Sequence, residues 1–380
     1  MKNNFKHSSR RKFIRDLSFA GLSIPLVSSV SNCSTPVESA SNKTTGRKDG
    51  KLGIALVGLG NYSSGQLAPA LQQTEHCYLA GIVTGTPAKI STWKEKYSIP
   101  DKNIYTYENF DSIKNNPDID VVYVVLPNAM HAEYTIRAAQ AGKHVICEKP
   151  MAVTVEDCDK MIAACKKAGK MLSIGYRLHF EPYNLEMQRL GQQKVYGDLK
   201  KVNAGFGFTI GDPTQWRLNK ELSGGGPLQD LGIYCIQGIC YTTGMNPIAI
   251  TAQQGQKTDL TKFAEVEQSV TWQMEMPNGL SCEGKTSYGD SMNYLEAEAE
   301  MGKFGVRPAY NYSGQRGFTP KGEMNFPQVN QQAWQMDDFA LAIKSNRPTK
   351  VPGEMGRRDV KIIQSIYEAM NTGKRVAINY

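Results

Sequence analysis

A glycine-containing turn between an apolar strand and a helix constrains the fold of this chain more than any other feature. The turn is Gly58-Leu59-Gly60-Asn61-Tyr62-Ser63. Around it, uniformly apolar segments of strand length alternate with segments of helical periodicity, the pattern of a parallel sheet covered by helices on both faces. We predict strands at residues 52–57, 78–83, 121–126, 144–147 and 171–176, and helices at residues 64–73, 89–97, 131–141 and 155–168. The pattern predicts a doubly wound parallel sheet of the Rossmann type, with its ligand at the carboxyl ends of the strands.

The pattern changes after residue 176, where strand-like segments follow one another with few helices between them. Alternation of polar and apolar residues is typical of an antiparallel sheet with one solvent-exposed face. We predict strands at residues 200–209, 249–254, 265–276, 280–287 and 294–300, and helices at residues 183–190, 227–241, 333–344 and 357–370. The prediction is an α/β chain with a dinucleotide-binding domain at 51–176 and an α+β domain with a large, open, mainly antiparallel sheet at 177–380. The exposed face of that sheet favours a homo-oligomer, a dimer or a tetramer.

Residues 1–50 have the features of a leader followed by an arm. Ser9-Arg10-Arg11-Lys12-Phe13 precedes a short apolar segment, which predicts a twin-arginine signal peptide at 1–33 and a periplasmic location. Residues 34–50 are rich in Ser, Thr, Asn and Lys, as is typical of a linker or arm. A lipid anchor at Cys33 stays open as an alternative.

Composition excludes several classes of partner. Residues 1–50 carry six of the net eight positive charges, so the rest of the chain is nearly neutral and we expect no nucleic-acid partner. No segment is long and apolar enough to be an integral membrane span. The eight cysteines include no C-x-x-C pair and no zinc-ligand spacing, so we predict no metal site and small buried thiols.

The turn itself predicts where a dinucleotide binds. Gly58 and Gly60 match the first two glycines of the dinucleotide fingerprint, one for the tight turn and one for close approach of the pyrophosphate. Asn61 and Tyr62 begin the following helix, whose N-terminus favours an anion. Ser63 replaces the third glycine but is small enough for close packing of helix and strand.

The end of the second strand indicates which dinucleotide binds. NAD sites usually place a carboxylate there for the ribose 2′-hydroxyl. Here the strand ends in Thr84 without a carboxylate, and Lys89 follows closely. Hydroxyls and a nearby cation suit a 2′-phosphate, so we predict NADP, with NAD as the alternative.

Several further motifs carry a family resemblance. They are Pro127-Asn128-Ala129-Met130-His131, Cys147-Glu148-Lys149-Pro150-Met151, Gly175-Tyr176-Arg177-Leu178-His179, Gln215-Trp216-Arg217, and the pair Asp230 and Tyr234. In combination they resemble the Gfo/Idh/MocA oxidoreductases, and within that family the glucose–fructose oxidoreductase branch. Many members carry His at the last position, whereas this chain, like that branch, carries Tyr234. The resemblance extends from about Lys51 to the C-terminus and includes the export signal.

The resemblance implies site residues on both sides of the crevice. Besides the turn residues, it implies that the cofactor contacts Pro127, Asn128, His131, Glu148, Lys149, Trp216 and Arg217. It implies that a sugar contacts Arg177, His179, Asp230 and Tyr234.

The chemistry of these residue types suits oxidation of a sugar hydroxyl. Lys149 follows a parallel strand, which puts it at the carboxyl edge of the sheet beside the expected nicotinamide. Asp230 and Tyr234 are four residues apart and share one face of a helix. A free phenol, with a pKa of about 10, is a poor base at neutral pH, but a nearby ammonium stabilises the phenolate. We predict Tyr234 as the acid/base, Lys149 as its electrostatic partner, and Asp230 as the residue that orients Lys149 or the sugar.

These predictions favour an NADP-dependent sugar oxidoreductase. No free nicotinamide pool is expected outside the inner membrane, so export favours a retained cofactor that is reduced by an aldose and reoxidised by a ketose. A simple NAD(P)-dependent aldose dehydrogenase is the first alternative. An NAD-dependent redox glycosidase is the second, although that branch typically carries His where Tyr234 stands. A non-catalytic sugar- or cofactor-binding protein is the third, and the joint presence of Lys149, Asp230 and Tyr234 argues against it.

Overall fold

The computed structural model describes residues 50–380, so the predicted signal peptide, nearly all of the arm and Cys33 lie outside the described residues. The first of its two sheets contains β1 Leu52–Val57, β2 Cys77–Val83, β3 Ile104–Tyr105, β4 Val121–Val124, β5 His144–Cys147 and β6 Leu172–Ile174. All neighbouring strands are parallel, in the order β3-β2-β1-β4-β5-β6. This order confirms the predicted Rossmann sheet and puts the ligand crevice between β1 and β4, where the order reverses.

Helices cover both faces of this sheet. They are α1 Ala68–Leu71, α2 Pro87–Tyr97, α3 His131–Gln140 and α4 Val155–Lys167. Instead of the single helix predicted at 64–73, a wider π turn at Ser63–Leu67 leads into the short α1. Pro69 explains the difference, because it has no N–H to donate to the carbonyl one helical turn earlier.

The second sheet has nine strands and is mainly antiparallel, as predicted. They are β7 Leu199–Gly207, β8 Ala249–Gln254, β9 Ser269–Glu275, β10 Ser281–Ser287, β11 Met292–Ala299, β12 Gly302–Val306, β13 Gly317–Thr319, β14 Gly322–Met324 and β15 Val376–Ala377. Their order is β14-β13-β12-β11-β7-β10-β9-β8-β15, and only β7 and β10 pair in parallel. The sequence analysis missed the last four strands, which are glycine-containing or too short to show alternation.

Two of the five helices in the second half, α7 and α8, pack in different parts of the molecule. They are α5 Pro182–Gln192, α6 Lys220–Ser223, α7 Ile233–Thr243, α8 Gln331–Ser345 and α9 Gly353–Thr372. Every residue of α7 except Tyr234 is buried. In contrast, α8 returns to the first sheet, where Met336 and Phe339 pack in the same apolar cluster as Ile54 and Leu56.

The structure bears on membrane spans and on the cysteines of the described residues. Within 50–380, no helix has both the length and the apolar character needed to cross a membrane. The seven cysteines in this range are free and buried, which confirms their prediction as small apolar side chains.

Candidate active site

Gly58 and Gly60 differ in whether a larger side chain would fit in the turn after β1. Gly58 has a φ of +93°, and a Cβ there would lie 2.4 Å from the Val125 carbonyl oxygen, so the position requires glycine. Gly60 is exposed, and a Cβ there would meet no atom within 4 Å. Ser63 is buried and its hydroxyl donates to the Gly58 carbonyl oxygen at 2.6 Å. The turn thus combines a tight backbone with an open surface for a phosphate group.

A cation lies across this turn from the start of α2. Lys89 Nζ donates to the Leu59 carbonyl oxygen at 2.9 Å. Burial lowers the pKa of Lys89, and no charged group of the described chain offsets that effect. A ribose 2′-phosphate would supply the missing anion. Thr84 is only 3% exposed, and its hydroxyl oxygen accepts from the Thr86 amide at 3.1 Å, so its side chain shapes the end of β2.

The loop after β4 joins the two halves of the molecule. Pro127 and Asn128 are buried, and Asn128 Nδ2 donates to the Ser223 carbonyl oxygen at 2.8 Å. His131, predicted to contact the cofactor, is completely buried. Its ring nitrogens lie 2.9 Å from the Pro150 carbonyl oxygen and 2.8 Å from that of Leu126. The His131 ring therefore links the loop after β4 to the loop after β5.

Glu148 supports the residue that follows it. Its Oε1 accepts from the Tyr123 hydroxyl at 2.7 Å, and its Oε2 accepts from the Lys149 amide at 3.2 Å. Gln335 of α8 donates to the same Tyr123 hydroxyl at 2.9 Å. Burial raises the pKa of Glu148. This chain of hydrogen bonds anchors the backbone of Lys149 at the carboxyl end of β5.

Lys149 and Asp230 form a partly buried ion pair between segments that are distant in the sequence. Lys149 Nζ donates to the Asp230 carbonyl oxygen at 2.6 Å and to Oδ1 at 3.1 Å. Oδ2 accepts from Arg217 Nε at 2.9 Å and from the Tyr288 hydroxyl at 3.0 Å. Burial opposes ionisation of Asp230, but Arg217 and Lys149 hold its pKa well below the usual range. For Lys149, burial is likewise outweighed by Tyr234 and Asp230, which raise its pKa.

The ring of Tyr234 lies between two cations. Lys149 Nζ is 4.8 Å from the ring centroid and the Arg177 guanidinium carbon is 5.1 Å from it. Both cations are close enough to the ring for cation–π contacts. Arg177, predicted to contact the sugar, is 3% exposed and donates to the carbonyl oxygens of Tyr310 and Asn311. Its guanidinium also stacks against the ring of Tyr312, with its carbon 4.5 Å from the centroid.

A buried carboxylate fixes the entry of the segment that carries Asp230 and Tyr234. Glu267 accepts from the Gly226 amide at 3.0 Å, the Leu228 amide at 3.1 Å and the Tyr367 hydroxyl at 2.9 Å. The helix predicted at 227–241 is consequently a π turn at Leu228–Gly232 followed by α7. Asp230 lies in the π turn and Tyr234 in the first turn of α7.

Aromatic rings meet where the glycine turn faces the second half of the molecule. Tyr62 stacks on Tyr312, with centroids 6.0 Å apart and planes at 28°. Asn61 beside Tyr62 is exposed at this surface. Trp216 lies near the same crevice, with the Arg217 guanidinium 4.8 Å from its ring. These contacts bring the predicted cofactor residues of both halves to one side of the first sheet.

A small, narrow cavity lies beside Tyr234. His179, predicted to contact a sugar, lines it. The full lining is Lys149, Tyr176, Leu178, His179, Ile233, Tyr234, Gln237 and Tyr241. The surface that these side chains expose in the cavity is apolar.

The structure adds residues that the sequence analysis missed. Tyr288 holds Asp230, Glu267 holds the π turn and Tyr312 covers Tyr62. None of them lies in a recognisable motif, and each acts across a large sequence separation. Among residues 50–380, no cluster of three or more His, Cys, Asp or Glu side chains is suited to hold a metal ion.

Two family models match most of the described chain. A model of an oxidoreductase family with an NAD-binding Rossmann fold matches residues 52–176. A model of the GFO/IDH/MocA C-terminal domain matches residues 184–307.

Individual proteins match over most of this chain and over nearly the whole of their own length. A D-xylose 1-dehydrogenase (NADP(+)) of Haloarcula marismortui is 28% identical over 342 residues, covering 87% of this chain and 94% of that protein. A D-glucoside 3-dehydrogenase of Escherichia coli is 26% identical over 357 residues, covering 86% and 97%. The crystal structure of an aldose-aldose oxidoreductase from Caulobacter crescentus, complexed with glycerol, is 40% identical with a TM-score of 0.83, covering 86% of this chain and all 100% of that one.

Proposed function

Since the chain belongs to the Gfo/Idh/MocA family of nicotinamide-dependent oxidoreductases, we propose that it is an NADP-dependent sugar oxidoreductase that keeps its cofactor between half-reactions. In the first half-reaction, carbon 1 of an aldose loses a hydride and its hydroxyl loses a proton, which yields a lactone. When bound, the nicotinamide supplies the acceptor for that hydride. In the second, the carbonyl of another sugar takes up a hydride and a proton and becomes an alcohol.

The position of Tyr234 between two cations carries this proposal. Tyr234 lines the cavity, the Lys149 ammonium and the Arg177 guanidinium lie 4.8 Å and 5.1 Å from its ring, and we assign to its hydroxyl the removal of the substrate's hydroxyl proton. Asp230 holds the Lys149 ammonium at 3.1 Å. The same phenol returns the proton when a carbonyl is reduced, so one residue serves both half-reactions.

NADP is supported by the cation at the turn and by a relative. Lys89 offers an uncompensated positive charge where a 2′-phosphate would lie. The Haloarcula dehydrogenase carries NADP(+) in its name.

Two features support retention of the cofactor. The aldose-aldose oxidoreductase is named for sugars in both half-reactions, and its name favours an aldose as the second substrate of this chain as well, with a ketose as the other candidate. The twin-arginine signal at Arg10 and Arg11, outside the described residues, would carry the protein where no nicotinamide pool replenishes it. We also propose periplasmic location and a homo-oligomer built through the open face of the second sheet, for which fractionation and light scattering are the tests.

The decisive experiment uses protein purified without added cofactor. Its near-ultraviolet absorbance is recorded before and after addition of an aldose, and again after a second aldose or a ketose. We expect absorbance of reduced nicotinamide to appear with the first sugar and disappear with the second. Protein that contains no nucleotide and turns over only with added NADP would contradict the retained cofactor.

That contrary result would favour a simple NADP-dependent aldose dehydrogenase. This second candidate is supported by the similarity to the Haloarcula relative, which is named as a xylose dehydrogenase. Both candidates use Tyr234, Lys149 and Asp230 in the same roles, so only cofactor exchange separates them.

A further inference from the structure

An aromatic pair joins the two halves of the molecule at the crevice. Tyr62 belongs to the glycine turn of the first half, and Tyr312 belongs to the segment that follows β12 in the second half. Their rings stack with centroids 6.0 Å apart and planes at 28°. This geometry lies within the range in which aromatic rings attract each other.

The second half of the molecule holds Tyr312 in place. Gln331 of α8 donates from Nε2 to the carbonyl oxygens of Asn311 at 3.1 Å and Tyr312 at 3.2 Å. Arg177 donates to the same Asn311 oxygen at 3.1 Å, and its guanidinium carbon lies 4.5 Å from the centroid of the Tyr312 ring. These contacts anchor both the backbone and the ring, so Tyr312 offers Tyr62 a fixed partner.

The pair lies where a bound dinucleotide would run. Gly60 leaves open surface for the pyrophosphate on one side of Tyr62. Burial, followed by the nearby Glu148, raises the pKa of the Tyr62 phenol. The side chain of Tyr62 therefore extends from the expected pyrophosphate site toward Lys149, beside the expected nicotinamide. Tyr312 is 43% exposed, which puts the pair at the boundary between the crevice and solvent.

We propose that the Tyr62–Tyr312 pair closes the crevice across the two halves and slows release of the dinucleotide. This inference rests on the proposed function, in which the cofactor stays bound between half-reactions. A nucleotide held between the halves leaves when they separate, and that separation breaks the contact of the two rings. The consequence concerns the residence time of the cofactor and not the choice of sugar.

The release rate of NADP tests the pair without any sugar. Protein loaded with NADP is mixed with excess NADPH, and the fluorescence of newly bound NADPH reports the release. We expect Tyr312→Leu to accelerate release about two- to twelvefold, the range that one aromatic pair contributes. Tyr312→Phe keeps the ring and should release NADP at the wild-type rate. Tyr97→Leu is the matched control, because it breaks a ring contact with Trp93 that lies within α2 alone and should leave the rate unchanged.

A double-mutant cycle separates the pair from any direct contact of either ring with the cofactor. Tyr312→Leu should accelerate release in the wild type but not in a Tyr62→Leu background, whatever Tyr62→Leu does by itself. Equal acceleration in both backgrounds would overturn the proposal. A wild-type rate in Tyr312→Leu would do the same, as would Tyr312→Phe releasing NADP as fast as Tyr312→Leu.

Two further outcomes are separated by the design. If Tyr62→Leu does not fold, the comparison of Tyr312→Phe with Tyr312→Leu decides alone, since Tyr312 is exposed enough to accept either side chain. Wild-type protein that purifies without nucleotide would refute the retained cofactor of the proposed function. The coupling of the two rings would still be measured in that case, on protein loaded with added NADP.

Discussion

The turn after β1 and the cluster around Lys149 are built by opposite means on the same edge of the first sheet. The turn is a local structure of six consecutive residues, and its essential property is empty space around Gly60. The cluster joins Lys149 to Asp230 across 81 positions of sequence. There, each charged group is in contact with an opposite charge or an aromatic ring.

This difference separates two kinds of sensitivity. A group added to the turn acts by steric exclusion, on folding at Gly58 and on the ligand at Gly60. A group removed from the cluster leaves a buried charge without its partner, which changes the chemistry and the electrostatic stability. Substitutions in the two regions should therefore change different measured quantities.

Tyr234→Phe should have the largest effect, because it removes the acid/base from the centre of the cluster. We expect turnover to fall about 10³-fold, within the range of general acid–base catalysis. The ring itself stays between Lys149 and Arg177, so the cofactor content measured after denaturation should not change. Tyr294→Phe on β11, outside the cavity, is the matched control. Turnover that survives in the Tyr234 variant would assign proton transfer to another group.

Gly58→Ala should have the next largest effect and act on folding. The added Cβ meets the Val125 carbonyl oxygen in a left-handed backbone conformation, so we expect a loss of about 3 kcal/mol in the free energy of unfolding. Gly60→Ala is the matched comparison. It should leave that free energy within about 0.5 kcal/mol of wild type and weaken cofactor binding instead. Urea denaturation of the two variants gives the result, and equal losses would contradict the distinction between the two glycines.

Asp230→Asn tests the charges of the cluster through the pH dependence of the free energy of unfolding. The pKa of Asp230 is lowered in the folded protein, so its carboxylate stabilises the fold above the ordinary carboxyl pKa, and this contribution is lost on acidification. We expect the variant to be less stable by about 2 kcal/mol at pH 7. The difference from wild type should shrink as the pH falls below about 4. Asp198→Asn, at an exposed carboxylate paired with Lys194, should show little difference at any pH. A difference for Asp230→Asn that does not depend on pH would refute the ionic role.

The sequence predicted the turn well because all of its determinants are adjacent in the chain. The family resemblance implied that Lys149, Asp230 and Tyr234 share one site, and in the structure Lys149 contacts both of the others. The sequence could not predict the π turn around Asp230, which depends on hydrogen bonds from Gly226 and Leu228 to the distant Glu267.

The side-chain directions of His131 and Arg177 could not be predicted from the sequence, and the physical cause is the same for both. Motifs place His131 and Arg177 near the crevice, but they do not tell in which direction a side chain points. The direction depends on carbonyl oxygens supplied by other segments, those of Leu126 and Pro150 for His131 and those of Tyr310 and Asn311 for Arg177. Such acceptors are backbone groups with no signal in the sequence.

Lys89→Met should have the smallest effect. It tests whether a charge contributes to cofactor binding at the turn, where the other effects are steric. The Lys89 ammonium contacts the Leu59 carbonyl oxygen and has no compensating charge in the described chain. We expect the dissociation constant of NADP from stripped protein to rise roughly tenfold, about 1.4 kcal/mol, while that of NAD is unchanged. Lys94→Met on the same helix, where Lys94 pairs with Asp101, is the control and should alter neither constant. Equal weakening of both cofactors would mean that Lys89 supports the turn through Leu59 alone and that the 2′-phosphate is recognised by other residues.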